Sequence, residues 1–413
     1  MSDIATRTDA KLMEGPAFVR TMPLLPLPPP MAASGAIGWL RWNLFSGPLN
    51  IALTVVCALL IVWIVPPLFK FLVVDAVWNG AGRTDCLATP GHPEMGACWA
   101  YVFDKISFFT YGFYPIEGRW RVDLFFVLLA VGVVWMAWLN APQRGLGAAY
   151  FFIVMPLASF LLLYGVPEVL VGIGHWPRIG WLSALLDALN HVLPRVPTTQ
   201  WGGVLVTVVV ASVGIVFSLP IGILLALGRR SRLPAVRLFS VIFIEFVRGV
   251  PLITVLFMAS VMLPLFVPES WSPDKLLRAL VGVSLFSSAY MAEVVRAGLQ
   301  AIPKGQYEAA MAVGLGYWQT MRLIVLPQAL KITIPNIVNT TIGLFKDTTL
   351  VFVVGIFDFL MTIEAGRADP AWATPVTSTT GYAFAAIFYL IFCYGMSRYA
   401  RFVEARLAAG DRR

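Results

Sequence analysis

The sequence predicts an all-α fold, a polytopic transmembrane helical bundle of about eight spans. Three observations carry that prediction. Of 413 residues, 59% are hydrophobic and only 13% charged, whereas a soluble domain carries nearer a quarter charged residues. Apolar runs near twenty residues recur, long enough to cross about 30 Å of hydrocarbon as helix. Basic residues gather between and after those runs, the usual mark of cytosolic loops. The net charge of +8 belongs to those loops, so no nucleic-acid partner is expected.

In chain order, residues 1–46 hold scattered charges and the run Pro26-Leu27-Pro28-Pro29-Pro30, and read as a disordered cytosolic leader rather than a cleaved signal peptide. Spans are expected at about 49–72, 122–141, 148–166, 203–228, 238–265, 278–299, 331–360 and 381–402. Some exceed the length a bilayer requires, so tilt or breaks are expected. Residues 47–200 then form an N-terminal extension of three spans and two outside loops. Residues 201–405 form a five-span core, and 406–413 a cytosolic tail.

Arg229, Arg230, Arg232 and Arg237 crowd one short loop, and Arg398, Arg401, Arg406, Arg412 and Arg413 crowd the C-terminal end. Four spans separate the clusters, so both lie on one side, assigned as cytosolic. Four more spans put the leader there too, which places both termini in the cytosol. The stretch "GIGHWPRIGWLSALLDALNHVLPRVP" is apolar but broken by Pro and His. It reads as an interfacial helix outside, since a ninth span would break this parity.

Cys57 and Cys393 fall within spans, as small apolar residues. Cys86 and Cys98 share the loop 73–121, outside, where disulfides persist, and a disulfide between them is expected. Two unpaired buried thiols are the alternative. A metal site is not expected, because His92 is the only imidazole nearby and two Cys with one His fall short of a structural zinc set.

Between spans six and seven lies "IPKGQYEAAMAVGLGYWQTMRLIVLPQAL", cytosolic by the same count. Ala309, Ala310, Met311 and Ala312 are good helix formers after Glu308, an acid suited to a helix N-terminus. Gly314 and Gly316 stop that helix, and a second follows until Pro327 breaks or kinks it. Glu308-Ala309-Ala310, three residues, Gly314, nine residues, then Ile324-x-Leu326-Pro327 resembles the EAA signature of ABC importer permeases. In that family the helix rests in a groove of a cytosolic ATPase. The resemblance implies that role for Glu308, Ala309, Ala310, Gly314, Leu315 and Gly316. Small alanines allow close approach, the glutamate can pair with a base, and the glycine permits the turn.

"EFVRGVPLITVLF" (245–257), "SAYMAEVVRAGLQAIPKGQYEAA" (288–310) and "NTTIGLFKDTTL" (339–350) resemble polar amino acid uptake permeases. The family usually reads Thr at position 250 and Ser at position 349, where Val250 and Thr349 stand here. This resemblance covers about residues 201–405 and implies a five-span permease core. In the extension, "GACWAYVFDKISFFTYGFYPIEGRWR" (96–121) resembles one permease subunit of the general L-amino acid uptake systems of Gram-negative bacteria. That implies a second, homologous permease as partner, in a heterodimer.

Charged residues at membrane depth are functional candidates. Counted along a straight span five, Glu245 and Arg248 lie roughly 10–15 Å deep, with Glu293 and Arg296 repeating their i,i+3 spacing in span six. A self-neutralising structural pair is the plainer reading of 293/296 and an equal one for 245/248. Lys346, Asp347, Thr348 and Thr349 are the stronger candidates for a gate or substrate contact, because adjacent helical residues point apart and need other partners. An amino acid offers a carboxylate to Lys346 or Arg248 and an ammonium to Asp347 or Glu245. Pro251 and Pro335 are candidate kinks.

No catalytic residues are expected. The chain has no G-x-x-x-x-G-K-[ST] loop, and "GLFKDT" has the wrong spacing. ATP and Mg belong on a partner ATPase dimer, and this chain binds no cofactor. The expected function is the membrane permease of an ATP-driven amino acid importer in a bacterial inner membrane, served by a periplasmic binding protein and surrounded by lipid. An ion-coupled secondary transporter is the rival; such folds show two related halves, and no internal repeat is seen. A membrane hydrolase would need a nucleophile and base at depth, yet His92, His175 and His191 all fall in outside loops.

Overall fold

The computed structural model describes residues 35–88, 94–138, 141–166, 180–268 and 273–410. Among them nearly all structure is helical, and two isolated bridges, Val77 with Cys98 and Gly203 with Asp358, are the β pairing present. The chain divides into two compact units between Lys70 and Phe71.

The first unit holds a helix Gly35–Asn43 and most of span one, Pro48–Val74. Part of the expected leader is therefore ordered; residues 1–34 lie outside the described residues. The correction has a local cause. "GAIGWLRWN" is apolar enough to leave the disordered class, and Asn43 closes its last turn by donating to the Trp39 carbonyl at 2.8 Å.

The second unit carries the other spans: Ile116–Ala137, Gly145–Tyr164, Gly203–Arg229, Lys275–Ala301, Tyr317–Val354 and Thr377–Leu407, numbered two, three, four, six, seven and eight. Span five is a bent pair, Pro234–Gly249 and Leu252–Phe266, turned by 105°. Pro251 causes the break. It has no N–H to donate and forces Val250 into an extended conformation, with φ −112° and ψ 135°. Pro335, by contrast, is carried inside the span-seven helix.

Span four is the axis of the core. It packs tightly on span six at Gly222, where an added Cβ would stand 2.8 Å from the Met291 Cβ. A side chain there would push the helices apart. Near Arg229, Leu225, Ile244, Val295, Leu299, Met321 and Val325 form one buried cluster. That end of the bundle also holds the insert, and is called the insert end below.

At the other end, about 40 Å away by the 27 residues of span four, the extension packs onto the core. Cys86 and Cys98 are disulfide-bonded, with Cα atoms 5.6 Å apart. Helix Trp99–Tyr111 follows and packs on helix Phe359–Gly366 and span eight. Lys105 bonds Asp369 at 2.6 Å, and the Trp372 indole donates to Asp104 at 2.8 Å. The buried Arg121 guanidinium donates twice to the Pro194 carbonyl, fixing the segment that leads into span four.

Helix Gly180–Val192 is 13 residues long, about 20 Å and too short to cross. The preceding residues of that stretch, including His175, lie outside the described residues, as does His92. Cys57 and Cys393 are free thiols within spans one and eight.

Candidate functional site

The insert forms a helix Lys304–Ala312 beginning after Pro303. Its last carbonyls are closed by backbone bonds from Val313 to Ala309, Gly314 to Met311 and Leu315 to Ala310. Such a cap needs a left-handed residue, and Gly314 supplies it at φ +79°. Gly316 then caps the next helix, its N–H donating to the Gln319 side chain at 3.1 Å.

That second helix does not stop at Pro327. A π turn over Met321–Val325 absorbs an extra residue, and Pro327 falls in the first turn of Leu326–Asp347, where no N–H is required. The expected break is therefore a local loosening, and span seven runs on from Tyr317.

The insert has two faces. Ala310 is buried and Tyr307 half-buried, while Glu308, Ala309, Met311, Gly314 and Gly316 are exposed and Leu315 is half-buried. Met311, Val313 and Trp318 expose 65%, 74% and 71% of their surface, an apolar rim around Glu308 that a partner could cover. The inner face is pinned. Arg230, at the end of span four, donates to the Tyr307 hydroxyl and the Leu299 carbonyl, both at 3.1 Å, and lies over the Tyr307 ring. Gln328 of span seven donates to Gln306 at 3.1 Å.

Directly beside these contacts sits an ionic junction. Glu293 of span six accepts from Arg229 at 2.7 Å and from Arg296 at 2.8 Å, with Arg248 at 3.8 Å; Arg229 also reaches Glu245 at 2.8 Å. Glu245 and Arg248 each find a partner on another helix. The helix carrying them ends at Gly249 and turns, and they meet Arg229 at the end of span four and Glu293 of span six. Glu293 and Arg296 do form their i,i+3 pair, within this larger set of three guanidiniums and two carboxylates.

Sequence reasoning missed Arg229 and Arg230 as members, having read them only as topology markers. Their position at the very end of a span, with acids on two neighbouring helices, is the signal that would have found them.

Lys346 and Asp347 close the helix of span seven, which tightens into a 3-10 turn over Thr348–Val354. The Thr348 and Thr349 hydroxyls bond the Phe345 and Lys346 carbonyls three residues back, at 2.8 and 2.9 Å, which favours that tighter winding. Lys346 is exposed, Asp347 and Thr349 are half-buried and Thr348 is buried. The structure does not bring these four against the ionic junction; they lie at the far end of their helix from it.

Beyond the end of span seven, Asp358 caps helix Phe359–Gly366, accepting from the Leu360 and Met361 N–H groups at 3.2 and 3.0 Å. Complete burial pushes its carboxyl up from 3.8 to about 7, against the lowering effect of those bonds. The folded state therefore holds this proton more tightly than the unfolded chain. The resulting stability is fully present below 3.8 and lost as pH rises through about 7. The unfolding temperature of the purified protein is expected to fall over that window, and Asp358→Asn to flatten the fall; an unchanged slope in the variant would assign the titration elsewhere.

Comparison with known proteins follows from this geometry. A family model described as binding-protein-dependent transport system inner membrane component matches residues 218–409. The inner membrane amino-acid ABC transporter permease protein YhdY of Escherichia coli strain K12 is 49% identical over 385 residues, 93% of this chain and 96% of that protein. The glutamate/glutamine/aspartate/asparagine transport system permease protein BztC of Rhodobacter capsulatus is 43% identical over 97% of this chain and all of its own length. A solved structure of an amino acid ABC transporter with histidines is 26% identical, covering 48% of this chain and 90% of its own, with a TM-score of 0.43.

Proposed function

The chain belongs to the family of binding-protein-dependent transport system inner membrane components, as a permease subunit of an amino-acid ABC importer, and from that premise we propose how its parts divide the work. Helix Lys304–Ala312 is the joint with a separate cytosolic ATPase dimer, which binds ATP and Mg; this chain hydrolyses nothing. Both termini lie in the cytosol of a bacterial inner membrane. A periplasmic binding protein delivers the amino acid to the opposite face, and a homologous second permease completes a heterodimer. The cargo is a set of polar L-amino acids, the class named for the BztC relative.

One observation carries this reading. The insert exposes Glu308 and Ala309 while its other face is held by Arg230 of span four and Gln328 of span seven. A partner that draws the exposed face sideways moves both spans at once. The motion reaches span five through Arg229 and Glu245, and span six through Glu293. Transport then follows if the ATP-bound partner favours one arrangement of the spans and the nucleotide-free partner the other. Lys346, Asp347 and Thr349, at the point where span seven changes its winding, form the candidate gate or cargo contact.

Purification from native membranes with mass spectrometry of subunits and bound small molecules tests this. The expected result is an ATPase, a second permease of different sequence and a retained amino acid. Recovery of two identical permeases removes the heterodimer, and recovery without any ATPase removes the assignment of the insert.

A further inference from the structure

A cavity of about 330 Å³ lies where the extension meets the core, walled by spans two and three on one side and spans four and six on the other. Its floor is Val209, Val213 and Val216 of span four, which at 1.5 Å per residue extends about 10 Å along the bilayer normal or its tilt. The walls are apolar. Of the polar groups in the lining, Ser159 donates to the Met155 carbonyl, Thr198 donates to Asp274 at 2.7 Å across one end, and Ser212 stands among the valines of span four. A water needs two to four polar partners, and the valine, leucine and phenylalanine walls supply none.

The cavity is not sealed. Phe160 of span three and Leu277 of span six line it and stand 49% and 50% exposed. Both lie on membrane-crossing helices, so the opening is continuous with the lipid-facing surface and meets hydrocarbon. At the end remote from the insert, Tyr164 lines the cavity and the exposed Arg195 guanidinium lies 5.2 Å from its ring centre. An apolar slot at chain depth with a fixed cation at its headgroup end has the layout of a phospholipid: hydrocarbon below, phosphodiester above.

We propose that this cavity is a binding site for one glycerophospholipid, with an acyl chain between spans three and six and its phosphate on Arg195. The lipid fills the seam between extension and core, so the extension is attached to the permease core partly through a bound lipid. The proposal is independent of which partners the insert engages.

The test uses the intact transporter in nanodiscs. A bimane on Ser212→Cys, in a Cys57→Ser and Cys393→Ser background, reports from the cavity lining. Phosphatidylethanolamine brominated on its acyl chains is expected to quench it as strongly as a bimane on the exposed Leu157→Cys of span three. Aqueous iodide is expected to quench neither. Native mass spectrometry is expected to find one retained phospholipid per permease, reduced severalfold by Arg195→Gln and restored by Arg195→Lys. The Arg195 variants are expected to keep the unfolding temperature of the unaltered protein, and that measurement keeps the test decisive if a cavity variant misfolds. Quenching by iodide instead of bromolipid would mean a water-filled cleft, and no quenching at position 212 would mean closure by the chain itself. Either overturns the site. Retention indifferent to Arg195 overturns the headgroup assignment.

Discussion

Gly314→Asp is expected to cut amino acid uptake at least about tenfold while the protein still inserts, a loss of about 1.4 kcal/mol or more in the coupling step. Two effects add. Gly314 sits at φ +79°, and an L-residue there costs roughly 1–2 kcal/mol. Space is not the obstacle, since nothing lies within 4 Å of an added Cβ. The strain is expected to be relieved by rotating helix Lys304–Ala312 against the helix at Tyr317, which would turn Glu308 away from the proposed ATPase contact. The aspartate also adds a charge to the exposed surface proposed to dock. Gly314→Ala isolates the backbone effect and should lose less. Glu308→Ala removes the carboxylate without straining the backbone, and a hydrogen bond to a charged group is worth about 1.5–3 kcal/mol. In each variant, ATP hydrolysis should no longer respond to the loaded binding protein, with membrane levels unchanged by immunoblot. Full coupling in both Gly314→Asp and Glu308→Ala would refute docking through the insert.

Glu293→Gln should damage both stability and coupling. Glu293 is the group that Arg229, Arg248 and Arg296 share, and its side chain is 16% exposed. Neutralising it leaves the three guanidiniums of this set with one carboxylate, Glu245, which Arg229 contacts. Removing one partner of a fully buried pair costs about 3–5 kcal/mol. Here the arginines are 26–37% exposed and partly screened, so about 1–2 kcal/mol is expected. A lowered unfolding temperature and reduced uptake would follow. Adding Arg296→Gln removes one of the stranded charges and should recover part of the stability, a non-additive result because the two share a contact. Strict additivity would show that the junction does not act as a unit.

The bundle was legible because a bilayer imposes long apolar runs, and each expected span has its helix or bent pair. The insert was legible for a related reason. Glu308 to Gly316 sets an acid among small residues and glycines between two spans, and Gly314 stands where a turn requires it. What hydropathy could not supply was direction. Span five has the composition of one crossing, but Val250-Pro251 turns it by 105°, so the helix carrying Glu245 and Arg248 ends there instead of running straight on. Pairing was hidden for another reason. Arg229 was informative as a positive charge on a short loop, and nothing in the chain order says that it meets Glu245 and Glu293 at once. Asp358 was invisible too. An acid near the end of an apolar run looks like an edge residue, and only packing shows its carboxyl to be enclosed.

The most direct measurement is uptake of a labelled polar amino acid by proteoliposomes holding this permease with the proposed second permease, ATPase and binding protein, with ATP enclosed and no ion gradient. Accumulation that requires ATP and the binding protein, and that falls in Gly314→Asp, is the result predicted. Accumulation driven by a proton or sodium gradient without ATP, or none with every subunit present, would contradict it.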